Sequence, residues 1–205
     1  LVITPMSSAY TDFEENYSEA YLSEELAVLE RWVREGGSLI VFSEHFPFDI
    51  AVSGLLETFG ISTSIGVTID HDFSNESAGE IVFDGERLDK RHPIVAGKRP
   101  VKKVASYGGS ALRGDGYTNI MQLSDHSMNI SRNWMGVEGG PLGRGNSQGL
   151  AGFYGDGRIA AFGDSNGFAA MIFEDNISKD FVGMNDEAYD WRNLVLNTFD
   201  WLSGS

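Results

Sequence analysis

Gly157-Arg-Ile-Ala-Ala-Phe-Gly-Asp-Ser-Asn166 is the stretch that decides the fold. Ile159 to Phe162 is an apolar run too short for a helix, entered through the turn residues Gly155-Asp156-Gly157, and it predicts a buried strand. Gly163-Asp164-Ser165-Asn166 ends that strand, and Gly167-Phe168-Ala169-Ala170 predicts the start of a helix. A strand that runs out into Gly-Asp-Ser before a helix sets polar side chains at the carboxyl edge of a sheet. In open α/β sheets that edge is where ligands sit. Immediately upstream, Gly149 to Tyr154 is a second strand, which predicts an antiparallel hairpin through the same turn.

The start of the chain supplies the parallel part. Leu1-Val-Ile-Thr-Pro5 is a strand stopped by proline. Leu22, Leu26, Leu29 and Val33 recur at helical spacing, with Ser23 as the expected N-cap and Glu24 and Glu25 at the positive helix end. Gly36-Gly37 closes the helix. Ser38 to Phe42 is then an apolar strand with Ser43-Glu44-His45 at its end. Strand, helix, strand with short joints is a βαβ unit and predicts a parallel sheet. Ile50 to Phe59 predicts a second helix, Ile61 to Ile69 one strand, and Glu80 to Asp84, Val101 to Tyr107 and Asn119 to Leu123 further strands. His92 to Gly97 reads as a brief helical turn, and Tyr189 to Leu202 as a closing helix with a broad apolar face. Met6 to Tyr21, with Tyr10, Phe13, Tyr17 and Tyr21, is a long loop of the kind that is often functional. The glycine-rich Asp125 to Gln148, with Trp134, reads as a loop or lid.

Composition sets limits. The 205 residues suit a single domain, 41% of them are hydrophobic, and the formal net charge is −15. An acidic chain lacks the basic face that nucleic acid or anionic membranes require. No apolar run reaches the roughly 18 residues of a membrane span. The absence of cysteine removes disulfides, thiolate metal sites and every Cys nucleophile. Asn-x-Ser sequons at Asn16, Asn75, Asn129 and Asn176 fall in loop-like stretches and lean toward a secretory, extracytoplasmic setting. The chain starts inside an apolar strand, which predicts a fragment of a longer protein with covalently linked neighbouring domains.

The order of the pieces resembles a known family. Leu1 to Pro5 is followed by Ser23 to Phe42, then by Leu55-Leu56-Glu-Thr-Phe-Gly60-Ile61 and His92-Pro93-Ile94-Val95-Ala96-Gly97. Gly157 to Asn166 and Asn193-Leu-Val-Leu-Asn197-Thr-Phe-Asp-Trp201-Leu202 close the series. This order resembles the gliding/intraflagellar-transport (GIFT) type domains within the class I glutamine amidotransferase-like superfamily. Ser38 to Glu44 and Gly157 to Asn166 are also similar to the region after the subtilisin domain in site-1 protease. The resemblance implies an α/β fold: a flavodoxin-like three-layer sandwich with a mainly parallel sheet, to which the hairpin near the C-terminus is added. It implies one amidotransferase-like domain over 1–205.

The resemblance also places the chemistry. Active relatives carry a Cys where Ser43 stands and a His-Pro-Glu where Gly163-Asp164-Ser165 stands, so nucleophile and base are both replaced. A serine without a base is a poor nucleophile. This implies a pseudoenzyme that binds a protein, peptide or glycan through Tyr10, Ser43, Glu44, His45, Phe46, Trp134, Asp164, Ser165 and Asn166. The alternative is a serine hydrolase using Ser165 or Ser43, with His45 and Asp164 as candidate helpers. Gly163-Asp164-Ser165 and Gly183-Met184-Asn185-Asp186 resemble two blocks of SGNH-type esterases. For metal, Asp70, His71 and Asp72 are the candidate cluster, without the spacing of a calcium loop. No cofactor is expected, calcium being the one such acidic loops would take.

Overall fold

The computed structural model describes residues 1–4, 18–71, 80–130, 139–174 and 179–204. In chain order the elements begin with β1 (Val2–Ile3), α1 (Ser23–Arg34), β2 (Ser38–Phe42), α2 (Phe48–Thr58), β3 (Ile61–Thr63) and β4 (Val67–Ile69). They continue with β5 (Glu80–Asp84), α3 (Pro93–Ala96), β6 (Lys103–Tyr107), β7 (Leu112–Gly114), β8 (Thr118–Gln122), β9 (Met128–Ile130) and β10 (Gly140–Pro141). The last are β11 (Ser147–Tyr154), β12 (Gly157–Phe162), β13 (Ala170–Glu174), β14 (Lys179–Gly183) and α4 (Trp191–Ser203).

The main sheet has seven strands in the order β1-β2-β12-β11-β7-β3, with β8 also paired to β11. It is mixed. β1, β2 and β12 run parallel, with Val2 opposite Ile40 and Phe42 opposite Phe162. β11 joins β12 antiparallel, and β7, β8 and β3 continue in that sense. The expectation of a mainly parallel sheet is therefore corrected. A parallel neighbour needs a crossover of a dozen residues or more, whereas Gly155-Asp156-Gly157 turns the chain straight back. The predicted hairpin and the βαβ unit are both present.

Alternation along the central strands divides the core in two. Leu39 and Val41 of β2, with Ile159 and Ala161 of β12, pack with Val33 of α1 and Leu55 and Leu56 of α2. Ile40, Phe42, Ala160 and Phe162 face the opposite way and pack with Ile94 of α3 and Trp191, Leu194 and Leu202 of α4. Each buried Val, Leu, Ile or Phe among them contributes about 1.5–3 kcal/mol, which is why the two apolar tetrads fix the centre of the sheet.

Other expectations shift. Ile61 to Ile69 is not one strand: it divides at Gly66, whose φ of +144° no β-branched residue adopts. β3 stays in the main sheet and β4 joins β9 and β10. Leu22, not Ser23, precedes the first turn of α1, and its N–H is held by the Glu25 carboxylate at 2.9 Å. After Ser165 there is a single 3-10 turn at Asn166–Phe168, and then β13, not a helix.

Candidate functional site

Because β2 and β12 are parallel neighbours in register, their ends arrive together. Ser43, Glu44 and His45 follow Phe42, Asp164, Ser165 and Asn166 follow Phe162, and Ser43 N–H donates to the Phe162 carbonyl at 2.9 Å. The sequence motifs thus meet at one carboxyl edge. Tyr10, Trp134 and Asp72 lie outside the described residues.

Ser43 is buried. Its Oγ lies 2.5 Å from Ser110 Oγ and 3.5 Å from the Phe162 carbonyl oxygen. Ser110 Oγ in turn accepts from Thr63 Oγ1 at 2.9 Å, so the hydroxyl sits in a closed hydroxyl chain. His45 turns its Nδ1 to the carbonyl of Phe46, 2.7 Å away, and its ring meets Phe48 edge-on. Among the described residues no imidazole nitrogen is hydrogen-bonded to Ser43 or Ser165.

Glu44 takes the kink after β2, at φ +59°, and is the one non-glycine residue with positive φ among those described. A carboxylic side chain there folds back, and its Oε1 accepts the backbone N–H of Ser165 in a short bond. Asp164 is buried and accepts from Tyr107 N–H at 2.5 Å and from Asn166 N–H at 2.8 Å. Burial first, and then the negative Glu44, push the Asp164 carboxyl up to about 7, against the lowering effect of those two N–H groups. The corner therefore takes up a proton as pH falls through neutrality, well above the ordinary carboxylate range.

Neighbours that sequence alone did not bring here complete the edge. Glu80 accepts from Tyr107 Oη at 3.3 Å and from Tyr189 Oη. Burial, then Glu80, pushes the Tyr107 phenol up to about 12, and burial with the Glu80 hydrogen bond raises Tyr189 as well. Asp49, at the start of α2, is also buried. It accepts from Gly66 N–H at 2.7 Å and Ile50 N–H at 2.9 Å, and burial raises it to about 7. Nothing in the local sequence marks Asp49, Tyr107 or Glu80, since their roles depend on loops far away in the chain.

Of the expected binding residues described here, Ser43, Glu44, Phe46 and Asp164 are buried. His45, Ser165 and Asn166 keep partial exposure. The corner can hold a proton and cap backbone groups, and of the expected binding residues among those described it presents these three side chains outward, beside the exposed Tyr107. Of the candidate metal residues, Asp70 and His71 fall among those described. Asp70 is fully buried, with its carboxylate taken by Ser124 N–H at 2.8 Å, Ser124 Oγ at 2.8 Å and Arg87 Nη2 at 3.5 Å, while His71 is exposed. No group of three potential ligands converges among the described residues.

A solved structure shares the architecture at low sequence identity. The structure described as the mmIFT52 N-terminal domain aligns with a TM-score of 0.57 and 16% identity, over 92% of this chain and 75% of that one. ThuA-like proteins of Bacteroides uniformis ATCC 8492 and Parabacteroides merdae ATCC 43184 align with TM-scores of 0.45 and 0.46, at 9% and 17% identity. They are covered over 66% and 68% of their lengths, by 90% and 92% of this chain. No protein-family model matches the chain, and no curated protein sequence does. In fold the chain is similar to the N-terminal domain of IFT52, the kind of domain that the order of its sequence motifs resembles.

Proposed function

We propose that this chain is a non-catalytic module of a larger, extracytoplasmic protein, binding a protein, peptide or glycan partner at the carboxyl edge of its sheet without a resident cofactor. The scaffold is read as a flavodoxin-like three-layer frame whose parallel part is reduced to β1, β2 and β12.

One observation carries this. Both corners where related catalysts keep reactive groups are occupied by internal bonds: Ser43 by Ser110, and Glu44 and Asp164 by backbone N–H groups. A nucleophile needs a base within about 2.6–3.2 Å, and here the hydroxyl partner is another hydroxyl. His45, Ser165 and Asn166 remain as the outward face.

The test has two arms. A serine-directed fluorophosphonate is expected to leave the folded chain unlabelled, and labelling abolished by Ser165→Ala or Ser43→Ala would establish a hydrolase instead. Profiling on defined peptide and glycan arrays is expected to give ligands lost in a His45→Ala/Asn166→Ala variant. Ligands that bind the variant unchanged would remove the edge from the recognition surface.

A further inference from the structure

β13 and β14 form a ribbon that pairs with no third strand among the described residues. Its base adjoins the candidate edge: Ala170 lies opposite Gly183, and Met184 N–H donates to the Ala169 carbonyl at 2.7 Å. Gly183, at φ +67°, has room only for hydrogen, because a Cβ would come within 2.4 Å of the Asn166 carbonyl oxygen. The ribbon is therefore anchored two residues from Asp164, on the turn that carries Asn166.

Beyond that base both faces carry exposed apolar side chains. The register sets Ile172 opposite Phe181 on one face, with the Glu174–Lys179 ion pair (3.0 Å) beyond them. Met171 opposite Val182, and Phe173 opposite Asp180, make the other face. Ile172, Phe173 and Phe181 are 50%, 56% and 45% exposed. A two-stranded ribbon is marginal in water by itself, and contiguous exposed apolar residues with open strand edges mark a surface that is covered in use.

Charge selects what covers it. The chain carries −15, and the ribbon and its base hold Glu174, Asp180, Asp186 and Glu187. Its one lysine, Lys179, is already paired with Glu174. A second copy of the chain, an anionic lipid surface or a nucleic acid would each bring like charge to this place. We infer that the β13–β14 ribbon seats in an apolar groove of a partner protein whose rim is lined by Lys and Arg. This deepens the recognition role proposed for the adjoining edge and rests on it.

The test uses defined probes: an alternating Leu/Lys peptide, an alternating Leu/Glu peptide, and anionic phospholipid vesicles. Binding is followed by amide shifts of the ¹⁵N-labelled chain, for the unaltered protein, Ile172→Ser/Phe181→Ser, and Phe173→Ser on the other face. These side chains are exposed, so the same spectra verify the fold. The expected result is that the Leu/Lys peptide shifts amides of 170–174 and 179–183, that the double variant weakens this at least tenfold, and that added salt weakens it further. No response to the Leu/Lys peptide, equal binding by the double variant, equal response to Leu/Glu, preferential vesicle binding, or a ribbon-dependent dimer in light scattering would each overturn the inference. His45→Ala/Asn166→Ala separates the two claims. Ribbon shifts that persist in a chain labelled by fluorophosphonate would sink the non-catalytic assignment and leave the ribbon standing.

Discussion

Glu44, at the end of β2, accepts the backbone N–H of Ser165, at the end of β12, and so carries its negative charge to the buried Asp164 carboxyl. One contact ties together two strand ends that are far apart in sequence, and its charge adds to burial in raising the Asp164 carboxyl.

That shift predicts a pH dependence. Asp164 and Asp49 both move from an ordinary value of 3.8 to about 7 on folding. Between these values the folded chain holds more protons than the unfolded one, so stability is greatest below about pH 4 for these two groups and falls as pH rises through 7. Urea unfolding at several pH values should show this decline. Asp164→Asn should flatten it, whatever its effect on absolute stability through the altered bonds to Tyr107 and Asn166. Glu44→Gln should move the Asp164 part of the decline to lower pH, because the neighbouring charge that raises the carboxyl is gone.

Gly109 lies where no side chain fits. At φ +66°, a Cβ would approach the Gly163 carbonyl oxygen to 2.3 Å, and Ser110 N–H donates to that same oxygen at 2.9 Å. Left-handed strain of about 1–2 kcal/mol adds to the cost of moving the strand end. Gly109→Ala should lower the thermal midpoint by about 5 °C or more, at the roughly 2–4 °C per kcal/mol expected for a chain of this size. Gly116→Ala, at φ +87° with open space around it, should cost only the strain.

Asp70 should behave as a structural acid. Asp70→Ala leaves the Arg87 guanidinium without its buried carboxylate and removes the acceptor of Ser124. Breaking a buried pair in this way costs about 3–5 kcal/mol. Chelation with EDTA, in contrast, should leave the thermal midpoint of the unaltered chain in place. A midpoint that falls on chelation and returns with calcium would establish a metal site.

Asn129 should escape glycosylation even in a secretory host. It is 8% exposed on β9, and its Nδ2 donates to the Ile65 carbonyl at 2.7 Å. Peptide mapping of the secreted folded chain should find it unmodified. The sequon lies in a strand rather than in the loop that its polar surroundings suggest.

Much of the frame was legible locally. The four-residue apolar run at Ile159–Phe162, the run at Ser38–Phe42 and the helical spacing of Leu26, Leu29 and Val33 each state their own secondary structure, because burial of alternate or periodic apolar side chains leaves few other solutions, whereas Leu22, counted with that face, is exposed ahead of the helix. The Gly155-Asp156-Gly157 turn likewise announced its hairpin. Less legible was the fate of Ile61 to Ile69, where loose alternation conceals the break at Gly66. The helix start expected at Gly167 to Ala170 gives way to a 3-10 turn and β13 because a short apolar stretch after a turn suits strand and helix alike, and the partner strand, Lys179 to Gly183, is charged at one end.

By itself the amino-acid sequence determined which strand ends carry polar residues, that no thiol is present, and that the chain as a whole repels anions. Only the tertiary structure decided what those polar residues do. Hydrogen bonding and burial are set by atoms that come from elsewhere in the chain: Ser110 for Ser43, Ser165 for Glu44, Tyr107 for Asp164, Ser124 and Arg87 for Asp70. Sequence order states which groups are available, and three-dimensional proximity assigns each one its partner, because the energy of a buried polar group depends on the few ångströms around it.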